Sequence, residues 1–366
     1  MLLQYKISQK ILHYEENDLL RQMVEISDND GREIQIEHKK YINFSGNDYL
    51  GLSKSSKVKQ AFIEGVNLYG LGSGSSNLLS GYHSPSRQLE EVFAQKLGKD
   101  QAILFNSGYH ANVGIIQALG MNIIMDRLSH ASIIDGARLS GSKFYRYRDL
   151  NHAEKLLQDN EESLLISERV FSMEGNITDI DRLSDLAKQY NSFLIIDDAH
   201  GFGILDNNID ADCIVVPLGK SLGSMGAIVA GSNDVINYLR QFSRSYIYST
   251  ALPPAVIHAS LIAFKLLEEE TWRLNKLKYL IRYFNIEAEK IGLDLISSDI
   301  TPIRSILIED NTYAKQIEKK LQSQGFFIKA IVPPTVQKSR LRISLSALHE
   351  EDDILGLIKA IEILLK

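Results

Sequence analysis

Apolar residues recur at helical spacing along residues 2 to 26 (Leu3, Ile7, Ile11), which predicts an amphipathic helix. Between Arg32 and Tyr41, Ile34 and Ile36 alternate with polar neighbours, which predicts a short strand or hairpin. From about residue 55 the pattern changes. Helical stretches such as Ser86 to Leu97, with Leu89, Val92, Phe93 and Leu97 apolar, alternate with short apolar runs. These runs are Ala102 to Phe105, Ile123 to Met125, Ser163 to Ser167, Phe193 to Ile196, Cys213 to Val216 and Ala227 to Ala230. Strands alternating with helices predict an α/β fold around a mostly parallel sheet of about seven strands, covered on both faces.

The Pro253-Pro254 pair then marks entry into a long helical region, Ala255 to about Ile291. It is followed by apolar runs at Ile303 to Ile308, Phe326 to Ile331 and Leu341 to Ser346, a helix near Ala314 to Gln324 and a closing helix from Glu351. This order predicts a smaller α+β domain. The expected organisation is an N-terminal segment, residues 1–40, packing with a small C-terminal domain, residues 256–366, beside a large α/β domain, residues 41–255.

Composition narrows the chemistry. With 366 residues, 44% hydrophobic and 23% charged, the chain has the make-up of a globular protein able to bury a sizeable core without staples. The lone Cys213 can form no internal disulfide and complete no cysteine-based zinc site, and no HExxH or Cys/His cluster accompanies the nine histidines, so no metal is expected. A formal charge of -6, with basic residues no more clustered than Lys39-Lys40 and Lys319-Lys320, argues against nucleic acid as partner. Charged residues break the apolar N-terminal stretch, and no apolar run reaches the roughly 18 residues a spanning helix needs. A cytoplasmic protein, with no membrane partner, is expected.

Three stretches carry candidate chemistry. In Phe193-Leu-Ile-Ile-Asp197-Asp198-Ala-His200-Gly201 a buried strand emerges into two carboxylates and a histidine. That is where open α/β sheets bind ligands. An Asp there can pin a cation, hold a metal or act as a base, and can equally serve a turn. In Pro217-Leu-Gly219-Lys220-Ser221-Leu-Gly223 a lysine stands among glycines and apolar residues, a setting that lowers an amine's pKa and suits it to bond covalently to a carbonyl. The phosphate-loop alternative fails because Ile214 stands where that motif needs glycine. In Phe105-Asn106-Ser107-Gly108-Tyr109 a strand end runs into a helical pattern, whose free N–H groups suit a phosphate or a plain cap. Gly70-Leu-Gly72-Ser-Gly74 lacks the GxGxxG spacing of dinucleotide folds.

The order of these pieces resembles the α-oxoamine synthase family of fold type I, pyridoxal 5'-phosphate (PLP)-dependent enzymes, over nearly the whole chain. The matching stretches are Asn43 to Leu52, Ser107 to Asn112, Asp126 to Ser132, Glu168 to Gly175, Asp197 to Gly201, Gly219-Lys220, Tyr248 to Pro254 and Arg340 to Arg342. The resemblance implies that Lys220 carries the cofactor and moves the α-proton, and that Asp197 pairs with the pyridinium nitrogen. His200 would hydrogen-bond the ring hydroxyl and His130 would stack on the ring. Glu168 and Ser172 would line the pocket, while Ser107, Gly108 and Tyr109 hold or flank the phosphate. Thr250 would reach the phosphate of a neighbouring subunit, which makes the expected partner a second copy in a homodimer. Arg342, with Asn47, would clamp the amino-acid carboxylate. Alternation places Arg340 and Arg342 on one face of their strand, and the family pattern selects the second.

Within the family, Ala330 to Val336 and Ser344 to Glu350 point to the member that condenses L-alanine with a pimeloyl thioester, on coenzyme A or an acyl-carrier protein. Ser76, where glycine-specific relatives have Thr, leaves room for alanine's methyl. Relatives using glycine or serine are the nearest alternatives, followed by an aminotransferase or a non-catalytic fold relative. Three departures from the family stand out: Pro217 three residues before the lysine in place of Thr or Ser, Ser86 in place of His, and a shortened Val336 to Arg340 stretch.

Overall fold

The computed structural model describes residues 2–160 and 162–365. They form two compact units. One comprises residues 50–172 and 177–272; the other comprises residues 1–49, 173–176 and 273–366. The passage into the second unit falls after Trp272, later than the expected 256, because the helix Pro254–Glu269 packs on the helices Ser56–Tyr69 and Ser84–Lys96 of the first unit.

The first unit is built on a seven-stranded sheet: β1 (Gln101–Phe105), β2 (Ile123–Asp126), β3 (Phe144–Tyr147), β4 (Leu164–Glu168), β5 (Phe193–Asp197), β6 (Cys213–Pro217) and β7 (Ala227–Gly231). Their order is β1-β7-β6-β5-β4-β2-β3, with only β7 antiparallel to its neighbours. Six of the seven are the apolar runs of the sequence. The seventh, β3, is not an apolar run: its Phe-Tyr-Arg-Tyr pattern belongs to an edge strand with only Tyr147 buried. Buried residues fill both faces of the sheet: Leu104, Ile124, Leu165, Ile196, Ile214 and Ile228 lie on one side, Ile103, Met125, Ile166, Ile195, Val215 and Val229 on the other. Two buried faces explain why these strands read as continuous apolar runs.

Because β7 alone is reversed, six strands end on the same edge of the sheet. Phe105, Pro217, Asp197, Glu168, Asp126 and Tyr147 are their last residues. That edge gathers the candidate chemistry.

The second unit holds a three-stranded antiparallel sheet, with the strand Arg340–Ser344 between Ile303–Leu307 and Ala330–Ile331. A four-stranded sheet formed by Asp28–Asn29, Glu33–Ile36, Lys39–Asn43 and Phe326–Phe327 ties the N-terminal hairpin to the C-terminal region. Two sequence expectations need correction. The N-terminal helix covers Leu2–Glu16 only, since Asp18 takes a left-handed φ of 55° and Asn17 Nδ2 caps the His13 carbonyl at 2.7 Å. The long helix after Pro254 is two helices, Pro254–Glu269 and Trp272–Lys290, broken at Glu270-Thr271. Among the described residues no helix is long and apolar enough to cross a membrane.

One buried acid outside the sheet edge carries a stability prediction. Glu90 accepts hydrogen bonds from Leu104 N at 2.9 Å and Tyr82 Oη at 2.6 Å, yet burial outweighs both and raises its pKa from 4.5 to about 7. The folded protein therefore holds a proton that the unfolded chain releases, so stability falls as pH rises from the unfolded to the folded pKa. The expected cost at neutral pH is about 3 kcal/mol, at roughly 1.4 kcal/mol per pKa unit. Glu90→Gln should flatten this part of the dependence, measured as melting temperature between about pH 5 and pH 8. A variant whose melting temperature falls across that range as steeply as the parent's would contradict the assignment.

Candidate active site

Asp197 ends β5 and is buried. Asn112 Nδ2 donates to Oδ2 at 2.7 Å and Ala199 N to Oδ1 at 3.1 Å. Burial dominates and pushes its pKa up, opposed by Asn112, the His130 imidazole, Ala199 N–H and the Lys220 amine. A carboxylate in this position favours a cationic partner, which would return it to the charged form.

Lys220 sits in the turn joining β6 to β7, half-buried, less enclosed than its glycine-rich surroundings predict. The turn is fixed by Leu218 N to Gly226 O at 2.9 Å and Gly223 N to Lys220 O at 2.9 Å, with Gly226 at φ 107° where a side chain would be strained. His200 is buried in the loop after β5. Behind it Asp198 meets Arg169: Nη1 lies 3.4 Å from Asp198 Oδ2, and Arg169 also pairs with Asp206 at 2.7 Å. Burial still raises the Asp198 pKa to about 7. A Cβ on Gly201 would fall 2.2 Å from Asp198 Oδ1, so only glycine lets the loop close over this acid.

His130 caps the helix α2 (Ala131–Ser140) after β2, its Nδ1 accepting from Ser132 N. Glu168, at the end of β4, accepts the His130 backbone N–H at 2.6 Å and so fixes the start of that helix. Ser172 is half-buried in the segment after β4.

Ser107 caps the helix α1 (Gly108–Leu119): its Oγ accepts from His110 N at 3.2 Å and lies 2.8 Å from His110 Nδ1. Pro217 packs directly on this helix start, since a Cβ on Gly108 would come within 2.6 Å of Pro217 Cγ. The Tyr109 hydroxyl donates to Asp135 at 2.6 Å. Thr250 pairs with Ser76 in an isolated antiparallel bridge, and its carbonyl accepts from Asn106 Nδ2 at 2.8 Å, which brings the Ser76 and Thr250 backbones beside the residue preceding Ser107.

Arg342 and Asn47 lie together in the second unit. Arg342 Nη2 is 3.3 Å from Asn47 Oδ1 and Nη1 is 2.8 Å from Ser344 Oγ, while the buried Tyr49 hydroxyl donates to Asn47 Oδ1 at 3.2 Å. Arg340 is committed to an ion pair with Glu174 at 2.7 Å; it is buried, not exposed on the sheet surface.

Sequence reasoning gave no role to Asn112, Ser132 or Arg169. Asn112 and Ser132 are polar residues buried on otherwise apolar helix faces, and that mismatch was the available signal.

The model of the aminotransferase class I and II family matches residues 39–361. A curated 8-amino-7-oxononanoate synthase from Saccharophagus degradans is 40% identical over 90% of this chain and 88% of its own. The solved 8-amino-7-oxononanoate synthase of Francisella tularensis is 34% identical, with a TM-score of 0.77 over 88% of this chain and 97% of that one. A high-resolution structure of SPT with PLP superposes with a TM-score of 0.90 at 25% identity, covering 97% of this chain and 95% of that one. The chain belongs to the aminotransferase class I and II family of fold type I, PLP-dependent enzymes, in the branch that holds the 8-amino-7-oxononanoate synthases. It is an acyltransferase enzyme. The donor set fits the cofactor: a buried carboxylate in need of a cation, an amine in a neighbouring turn and a capped helix start beside it.

Proposed function

We propose that the protein joins L-alanine to a pimeloyl thioester with loss of carbon dioxide, giving 8-amino-7-oxononanoate and the free thiol carrier, a step of biotin biosynthesis. The observation that carries this reading is the buried Asp197 carboxylate with the Lys220 amine among the charges acting on it. PLP, when bound, supplies an electron sink for the negative charge that develops on the amino acid's α-carbon.

Lys220 would hold the cofactor through its Nζ, and the same amine would take the α-proton of alanine and later return one. Asp197 holds the proton of the pyridinium nitrogen and so maintains the sink. His200 would orient the ring hydroxyl, His130 would cover the ring face, and Glu168 and Ser172 would line the pocket. Ser107, Gly108 and Tyr109 present the helix start to the phosphate. Pro217 offers no hydroxyl there, and Thr250 of a second copy supplies one, so the active form is a homodimer. The carbon–carbon bond forms as the thioester's C–S bond breaks, and the alanine carboxylate departs as carbon dioxide. Arg342, its fork set by Asn47 and Ser344, binds that carboxylate, and Ser76 leaves room for the methyl. The lone buried Cys213 suits a reducing cytoplasm.

Reconstitution with PLP tests the cofactor assignment. A visible absorption band absent from Lys220→Ala is expected; a band unaffected by that substitution would overturn the role of Lys220. Arg342→Lys keeps the charge and loses the fork, so KM for alanine should rise about ten-fold with kcat changed less. An unchanged KM would remove Arg342 from the substrate site.

A further inference from the structure

A chain of hydrogen bonds runs from Asp197 to His130. Asn112 Nδ2 lies 2.7 Å from Asp197 Oδ2 and 2.9 Å from Ser132 Oγ, and Ser132 Oγ lies 2.7 Å from His130 Nδ1. The two linking residues are buried, Asn112 at 2% exposure and Ser132 at 0%.

The direction of every bond follows from counting protons. An amide nitrogen carries two N–H groups and accepts nothing, so Asn112 gives one proton to the carboxylate and one to Ser132 Oγ. The Ser132 oxygen keeps a second lone pair, so the direction of its bond to His130 Nδ1 is set by the backbone. The backbone N–H of Ser132 points at the same nitrogen from 3.2 Å. Two donors converge on Nδ1, which therefore carries no proton, and the neutral ring holds its hydrogen on Nε2.

We infer that Asn112 and Ser132 are positioning residues that lock His130 in the Nε2–H tautomer and fix its ring relative to the Asp197 carboxylate. The inference rests on the proposed placement of both groups against the cofactor. With Nδ1 closed by two donors and Nε2 already protonated, the neutral His130 is barred from acting as a base, and proton movement at the substrate falls to Lys220. The Asn112 bond at the same time favours the charged form of Asp197. One asparagine thus serves both groups, and displacing it should disturb the carboxylate and the imidazole together.

The test is histidine-selective ¹⁵N labelling of the full chain, recorded before and after addition of PLP, with the His130 signals identified by their loss in His130→Gln. In the parent, His130 Nδ1 should resonate as a bare ring nitrogen and Nε2 as a protonated one. Ser132→Ala removes the hydroxyl donor and leaves only the longer backbone one at 3.2 Å, so both should move part of the way toward the averaged values of a tautomer mixture and kcat should fall about ten-fold with little change in KM for the amino acid, while Ser132→Thr restores the parent spectrum. A protonated Nδ1 in the parent overturns the inference even if the variants fail to fold. So does a Ser132→Ala spectrum identical to the parent's, whatever its melting temperature. The tautomer is read in the cofactor-free protein, so a missing Lys220-dependent absorption band would sink the functional reading while leaving the tautomer result standing.

Discussion

Lys220→Ala is expected to abolish turnover, lowering kcat by about 10⁴-fold or more, because in the proposed reaction one amine would serve as both attachment point and proton carrier. The fold should survive the change. Lys220 lies half-buried in a turn whose hydrogen bonds, Leu218 N to Gly226 O and Gly223 N to Lys220 O, are made by backbone atoms. Steady-state rates with alanine and a pimeloyl thioester, alongside circular dichroism, check both halves. A folded variant that keeps more than about a hundredth of the parent kcat would place the proton transfer on another group.

Asp197→Asn should cost about 10²- to 10³-fold in kcat, the range seen when one preorganised electrostatic partner of developing charge is removed. The substitution keeps the shape and removes the charge proposed to hold the pyridinium proton. It also relieves the folded state of a buried carboxylate whose pKa is pushed up by desolvation. Loss of rate with unchanged or higher melting temperature is therefore the expected signature, measured by kinetics and thermal unfolding on the same preparation. Equal losses of both would mark Asp197 as a structural residue.

The parts legible in the sequence are those where local pattern and tertiary environment agree. Strands buried on both faces announce themselves as apolar runs, and six of the seven did so. The exposed edge strand Phe144–Tyr147 has too few apolar residues to stand out. The break at Glu270-Thr271 has no proline or glycine to mark it, so apolar periodicity runs through it undisturbed. At the N-terminus the reverse happened: spacing persisted past residue 16, where Asn17 and Asp18 end the helix through local hydrogen bonding.

The site shows the same division. Asp197, His200 and Lys220 stand out because they follow apolar strands at the edge where such folds bind ligands. Asn112 and Ser132 show only as single polar residues on apolar helix faces, a weaker signal than a charged residue at a strand end. The pairing of Arg169 with Asp198 was equally hidden, because it joins the ends of two strands that only the sheet brings side by side.

Release of carbon dioxide from the amino acid is the direct readout of the proposed reaction. Alanine, glycine and serine, each labelled in the carboxylate, are to be offered with pimeloyl, succinyl and acetyl thioesters. The prediction is that the pair alanine and pimeloyl thioester gives the highest kcat/KM for labelled carbon dioxide. A clear preference for glycine with succinyl or acetyl thioester, or for serine, would contradict it.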